Sequence, residues 1–535
     1  MESLLERISN RSAVIGIIGI GYVGLPLAIS LSGKKLFQVV GIDVSHSVVD
    51  ALESGKTTVE GVDAKQIATV LGKSLRLVVV SEREPADSSP SILEQLEGID
   101  VFIICVPTPL SRTNESEPDT GKIEQSRNLI ARVCEIEQQR GHLPKERLII
   151  LESTTYPGTT QKYFKPLLEK YGIDERRWYL AYAPERTSPG AHATTKRQAT
   201  EALKSKDKEI YPPTSTVTRI IGALDQASSD VAQALYETVF SSVQTVANLE
   251  TAEMTKLVEN TFRSTSIAFA NEMARIAKTL GLNIWDIIDA AKTKGFGFDL
   301  CYPGLIGGHC LPIDPHYLGW ATRNRRLAAT FVDVAESEHQ NMRREAFDLI
   351  QRLLNQQMMG IAGSSILFFG VSYKKDVGDI RESAAIKLME NLFAYGAKVS
   401  FWDPVRAKHP AKPHVRLMYT KARYQELPEN IETNLRWDDQ KERYYIEPDE
   451  ITGDWKDVKR RVLSGKFNCL VLATDHKDFG LAYPELATSR KAPPIADLCN
   501  AVRWWMRKTK LSENDKKEID QRLGDRRRYM LLGLH

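Results

Sequence analysis

The chain has 535 residues, more than one ordinary core accommodates, so two or three domains are expected. Hydrophobic residues make up 42% and charged residues 26%, which fits a soluble globular protein. The 72 basic and 69 acidic residues leave a formal net charge of only +3, which argues against nucleic acid as a partner.

No apolar run approaches the ~20 residues that cross a bilayer, so no membrane partner is expected. The opening MESLLERISNRS is charged and amphipathic and lacks the apolar stretch of a signal peptide, so the expected location is cytoplasmic. Six cysteines (105, 134, 301, 310, 469 and 499) are scattered without a CxxC pair, which indicates neither a metal site nor a disulfide framework.

Apolar runs at 13–19, 37–43, 75–80, 100–106, 147–153 and 178–184 alternate with helical patterns. Such runs read as buried parallel strands of a doubly wound α/β domain, placed at 1–220. A polar stretch at about 192–216 reads as a surface insertion within it. From Asp230 to Leu354 β signals are few, and 251–281 repeats apolar residues at helical spacing up to Gly281, a natural C-cap. This predicts a helical middle domain at 221–358. A second α/β pattern fills 359–535, with strands at 364–370, 397–404, 467–474 and 493–498. The charged stretch at about 406–461 reads as an insertion lying outside the core.

Five motifs carry chemistry. Gly19-Ile20-Gly21-Tyr22-Val23-Gly24 directly follows the first strand, and Asp43 ends the second. The first glycine permits a tight turn, the second a close approach of pyrophosphate, and the third helix–strand packing. An acid at Asp43 favours a ribose 2′-hydroxyl and repels a 2′-phosphate, so the cofactor expected is NAD. Gly307-Gly308-His309-Cys310 leaves a thiol in an open loop, with Asp314 four residues on as a possible base. Taken alone, an inert buried cysteine is the commoner case.

Lys256 and Asn260 share one face of the long helix and could stabilise an oxyanion, or be a solvated lysine and a structural asparagine. Thr154 and Glu185 both lie just past presumed strands, at the edge where open α/β sheets bind ligands; Glu185 could equally begin a helix. Lys374 and Arg381, in the loop after the first strand of the second α/β domain, could hold phosphates or form an exposed basic loop.

In this order, GYVGLPLA, the strand ending ICVPTPL, ESTTYPGTT, KLVEN, GGHC-x3-D and YKKDVGDIRES resemble the blocks of the UDP-glucose/GDP-mannose dehydrogenase family. The terminal Tyr529-Met-Leu-Leu resembles that family's last strand. The resemblance implies two Rossmann-like domains joined by a helical middle domain, a homodimer built on the middle helices, and a UDP-sugar substrate. Carried over by position, Cys310 is the nucleophile, Lys256 and Asn260 the oxyanion and water-positioning pair, and Asp314 their polar partner. Thr154 and Glu185 handle the catalytic water. Pro107 and Thr108 join the glycine turn and Asp43 at the cofactor, with Arg381 close by; Gly307 and Lys374 contact the substrate.

The motifs at 152–160 and 183–190 resemble the branch that oxidises UDP-N-acetylglucosamine for surface polysaccharides. Pro189 stands where other branches carry a second glutamate. UDP-glucose and UDP-N-acetylmannosamine are the neighbouring substrates. A two-electron alcohol dehydrogenase would have no use for the cysteine, and a non-catalytic NAD-binding scaffold would have none for the full set of polar residues.

Overall fold

The computed structural model describes residues 2–532 except 34–35, 58, 60–61, 112–116, 143–145, 173–176, 187–216, 299–300, 324, 409–413, 420–434, 439–442, 480–481, 483–485, 487–488, 490, 503–516, 518–520 and 522–528. The stretch at 192–216 and Pro189 therefore lie outside the described residues. The chain divides into two compact units, 1–260 with 313–328, and 261–312 with 329–535. The helical middle segment contributes to both.

In the first unit eight strands form one sheet: β1 Val14–Ile18, β2 Gln38–Asp43, β3 Leu75–Val79, β4 Val101–Ile104, β5 Glu146–Leu151, β6 Arg177–Tyr182, β7 Arg219–Ala223 and β8 Val243–Val246. Their order is β3-β2-β1-β4-β5-β6-β7-β8. All neighbours are parallel except β6 and β7. The central strands bury both faces. Ile15, Ile17, Val101, Ile103, Leu148 and Ile150 enter one core, while Phe102, Ile104, Ile149 and Leu151 enter the other. Continuous apolar strands in the sequence reflect this two-sided burial.

The boundary expected at 220 falls inside β7, and the sheet continues to Val246. β8 escapes the sequence pattern because it is short and partly exposed along its length. Strand order reverses between β1 and β4, the place where open α/β sheets bind ligands beyond their carboxyl ends.

The long helix Leu249–Thr279 begins in the first unit. Its end, in the second, is a Schellman turn. Gly281 has φ +72°, Leu282 N donates to the Ala277 carbonyl at 2.8 Å, and Gly281 N to that of Lys278 at 3.2 Å. Helices Ile284–Lys292 and Thr330–Asn355 accompany it.

The second unit's main sheet contains β9 Ser365–Phe369, β10 Lys398–Trp402, β14 Asp449–Glu450, β15 Cys469–Leu472, β16 Ile495–Asp497 and β17 Tyr529–Leu531, in the parallel order β14-β10-β9-β15-β16-β17. A separate antiparallel sheet holds β11 Leu417–Tyr419, β12 Arg436–Asp438 and β13 Arg443–Ile446. Placement of 406–461 outside the core is thus overturned. β14 extends the main sheet, and Val415, Leu417, Tyr419, Ile451, Val458 and Val462 are buried in the core of this unit. The many charges belong to exposed residues interleaved with those apolar ones, which masks the periodicity.

Candidate active site

The glycine turn fits a dinucleotide at each of its three positions. Gly19 has φ +93°, and a Cβ there would stand 2.7 Å from the Cys105 carbonyl oxygen. At Gly24 a Cβ would stand 1.9 Å from the Gly19 oxygen, so the helix Gly24–Ser32 packs against the turn only through glycine. Gly21 differs: a Cβ would meet nothing within 4 Å. Its requirement is not internal packing, which leaves space for a ligand.

Val23 precedes the helix and no side chain caps its first amides. Such an uncapped N-terminus attracts an anion. Tyr22 packs against the core beneath. Both carboxylate oxygens of Asp43 are held, by Ile20 N at 2.8 Å and Ser45 N at 2.9 Å, which fixes a negative charge beside the turn. Pro107 and Thr108 follow β4, and the buried Thr108 accepts through its carbonyl from Tyr317 Oη at 2.9 Å.

The first unit also gathers polar groups from three distant segments. Lys256, 8% exposed, donates from Nζ to the Glu185 carbonyl oxygen at 2.5 Å. Asn260, one turn on, donates from Nδ2 to Asp314 Oδ2 at 2.5 Å. That contact is the reason for an asparagine in mid-helix. Asp314 is 2% exposed and starts the helix Asp314–Arg323. Burial pushes its carboxyl up to about 6, against the opposing effects of Lys256 and Asn260.

Glu185 ends the segment after β6. Its Oε1 accepts from Arg186 N at 2.9 Å and its Oε2 from Arg219 Nη2 at 2.8 Å. Thr154 is half-buried just past β5. Its loop is tied to the long helix by Glu253, which accepts from Gly158 N at 2.6 Å, Thr160 N at 2.8 Å and Thr160 Oγ1 at 2.6 Å. Tyr156 packs on Trp320 with ring centroids 4.5 Å apart.

Three residues here escaped the sequence reading. Glu253 anchors the Thr154 loop, and its signal was an acid three positions before Lys256 on the same helix. Arg219 is 3% exposed and Glu152 is 3% exposed; their charged groups lie 3.6 Å apart. Burial first, then the charge of Glu185, raises Glu152 to about 7, while Arg219 and Tyr236 oppose the rise. No spacing in the sequence connects Arg219 to Glu185.

The second unit holds Cys310, half-buried. The glycines before it serve protein packing: a Cβ at Gly307 would lie 2.9 Å from the Glu382 oxygen, and one at Gly308, with φ +86°, 2.7 Å from the Tyr373 ring. Gly308 N donates to the Arg381 carbonyl at 3.1 Å. The GGHC loop is therefore seated on the loop bearing Lys374 and Arg381. Arg381 forms a fork with Asp379, Nη2 to Oδ2 2.6 Å and Nε to Oδ2 2.9 Å. Lys374 is half-buried on the same loop. Among the other cysteines, burial raises Cys134 to about 11 and Cys469 to about 12, and holds Cys105 and Cys499 well above the usual thiol range. Thiols so placed are poor nucleophiles.

Comparison with known proteins agrees with this plan. The chain matches the NAD-binding domain model of the UDP-glucose/GDP-mannose dehydrogenase family over 13–240, its central domain over 250–340 and its UDP-binding domain over 367–503. It is 31% identical over 393 residues to a UDP-N-acetyl-D-mannosamine dehydrogenase of Methanocaldococcus jannaschii, covering 73% of this chain and 78% of that one. To a UDP-N-acetyl-D-glucosamine 6-dehydrogenase of Pseudomonas aeruginosa it is 26% identical over 394 residues, covering 73% and 82%. A solved UDP-D-ManNAc dehydrogenase from Pyrococcus horikoshii superposes with a TM-score of 0.69 at 26% identity, covering 97% of this chain and 99% of that one.

Proposed function

The chain belongs to the UDP-glucose/GDP-mannose dehydrogenase family, and from that premise we propose that it oxidises the C6 hydroxymethyl of a UDP-linked 2-acetamido sugar to a carboxylate through a thioester on Cys310. The enzyme is an NAD-dependent oxidoreductase with a UDP-binding domain. The observation that carries the reading is the convergence of the buried Lys256 and Asp314 with the half-buried Asn260 and Glu185 in one polar cluster of the first unit.

The glycine turn and Asp43 would hold the cofactor, Gly21 leaving room for its pyrophosphate and the Asp43 carboxylate suiting a ribose hydroxyl. Bound NAD supplies the hydride acceptor for two successive two-electron oxidations. In the first, water ordered by Asp314 and Glu185 takes the proton of the C6 hydroxyl. A carboxyl raised only to about 6 is ionised at neutral pH and able to receive it. The Cys310 sulfur then adds to the aldehyde carbon, giving a thiohemiacetal whose oxygen the Lys256 ammonium stabilises. Loss of the second hydride leaves the thioester. Water directed by Thr154, Glu185 and Asn260 hydrolyses it and restores the thiol. Within the second unit, Lys374 would hold a substrate phosphate and the Gly307 backbone would approach the sugar, with Arg381 on the same loop as Lys374.

The substrate class rests on the named relatives and on the motifs around Glu152 and Glu185. Relatives named UDP-N-acetylmannosamine dehydrogenases, at 31–32% identity, support that epimer as the first substrate to test, beside UDP-N-acetylglucosamine, which the motifs alone favoured. The assembly we infer is a homodimer. Phe262, Phe269 and Ile276 lie exposed at seven-residue intervals on the long helix, with Phe331 and Val334 exposed on the helix Thr330–Asn355. Apolar residues at that interval form one stripe suited to helix pairing.

A panel of UDP-N-acetylmannosamine, UDP-N-acetylglucosamine, UDP-glucose and GDP-mannose, assayed for acid and NADH, tests the proposal. The expected result is two NADH per sugar and the highest kcat/KM on an acetamido sugar. A higher value on UDP-glucose overturns the substrate assignment.

A further inference from the structure

We propose that Arg219 is a positioning residue that sets the orientation and charge of Glu185; the proposal rests on the assignment of Glu185 to the catalytic water. Strand register delivers it. β7 runs antiparallel to β6, pairing Tyr182 with Gly222 and Ala181 with Ala223. Continuing that register three residues beyond the ladder brings position 219 opposite position 185. The strand that reverses direction thus returns a side chain to the carboxyl edge of the parallel strands, where ligands bind. Arg219 N donates to the Ser242 carbonyl at 2.9 Å, so pairing with β8 fixes its backbone as well.

Both terminal nitrogens of the guanidinium are engaged. Nη2 donates to Glu185 Oε2 at 2.8 Å, and Nη1 to the Pro184 carbonyl at 2.9 Å. It lies over the Phe240 ring at 4.3 Å and near that of Tyr236 at 5.4 Å. Behind it stands Glu152, whose other oxygen accepts from Tyr236 Oη. One face of the arginine therefore meets a buried acid, and its fork clamps the segment that carries Glu185. Arg186 N holds the remaining oxygen of Glu185, so its carboxylate has both oxygens fixed.

A buried guanidinium between two carboxylates is a poor way to stabilise a fold, because an apolar replacement of similar volume often does as well. Orientation of a carboxylate is a better account of the geometry. A planar fork reaches the carboxylate and the Pro184 carbonyl together, which a lysine ammonium cannot do from one position. Among the described residues, the charged and titratable groups facing Glu185 include Arg219 and, behind it, Glu152 and Tyr236; Arg186, paired with Glu259 at 2.9 Å; and Lys256 on its carbonyl. Arg219 touches its carboxylate with a cation.

A double-mutant cycle on the full chain tests this. Glu185→Gln is expected to lower kcat by roughly 10²-fold or more, as loss of an acid–base group does. Parental activity in that variant would refute the assignment of Glu185 itself. Given that loss, Arg219→Met is expected to lower kcat by roughly ten- to a hundredfold with KM for the sugar nearly unchanged, and the double variant to be no slower than Glu185→Gln, since residues acting through one another are not additive. The acid limb of the kcat profile should move up by about one pH unit in Arg219→Met, because a cation beside the carboxylate is lost, and less in Arg219→Lys. If Arg219→Met does not fold, Arg219→Lys carries the same cycle, with about tenfold loss absorbed in the Glu185→Gln background. Losses that multiply in the double variant, or an unmoved acid limb in a folded Arg219 variant, would overturn the proposal.

Discussion

Alanine at Gly21 and at Gly24 should produce opposite defects, although both glycines belong to one turn. A Cβ at position 24 would stand 1.9 Å from the Gly19 oxygen, and relief to 3.0 Å requires the helix or the turn to retreat by about 1 Å. Neither has room, since Gly19 itself lies against the Cys105 carbonyl and Ile17 flanks the other side of Gly24. Overpacking of this kind costs about 1–3 kcal/mol. At Gly21 a Cβ meets nothing, and φ lies outside the left-handed region, so alanine should cost nothing in the free protein and even stabilise it by about 0.4–1 kcal/mol.

The cost at Gly21 should appear only when NAD binds. At a concentration of about 100 times Kd, NAD stabilises the parent by about 2.7 kcal/mol; a hundredfold loss of affinity reduces that to about 0.4 kcal/mol. Thermal unfolding of the three proteins with and without NAD, together with calorimetric titration, reads both effects. Gly21→Ala should melt no earlier than the parent without NAD and gain little from it. Gly24→Ala should melt earlier in both conditions. Parental NAD affinity in Gly21→Ala, or parental stability in Gly24→Ala, would refute this account of the turn.

Cys310→Ser should still bind NAD and UDP-sugar but lose acid formation by roughly 10³-fold or more, since a serine hydroxyl is a far weaker nucleophile at neutral pH; steady-state acid production checks it. Glu152, raised to about 7 chiefly by burial, holds its proton more tightly in the folded than in the unfolded chain. Its contribution to stability is fully present below the unfolded carboxyl range and lost as pH rises through about 7, so Glu152→Gln should flatten the fall in melting temperature between about pH 5 and pH 8. Phe269→Glu should shift the protein's mass in light scattering from dimer to monomer without loss of helix content, because the residue is half exposed in the isolated chain. Deleting 410–455 should abolish folding of the second unit, measured by soluble yield and near-UV circular dichroism, because β14 and the buried Val415, Leu417, Tyr419 and Ile451 go with it.

Sequence alone determined what local chemistry dictates. Runs such as Val14–Ile18 and Ser365–Phe369 are apolar throughout because parallel strands are covered on both faces, and this reads directly as a doubly wound fold. Gly19, Gly21, Gly24 and Asp43 occupy fixed offsets around one strand–turn–helix, so that glycine turn was legible too. Tertiary structure decided whatever depends on distant segments meeting. Val243–Val246 and Asp449–Glu450 are strands through their partners, not through their own short patterns. The glycines at 307 and 308 are fitted to Tyr373 and Glu382, a requirement that no pattern around Cys310 reveals. Above all, Arg219 reaches Glu185 because β7 reverses direction beside β6, and no pattern within either segment encodes that register.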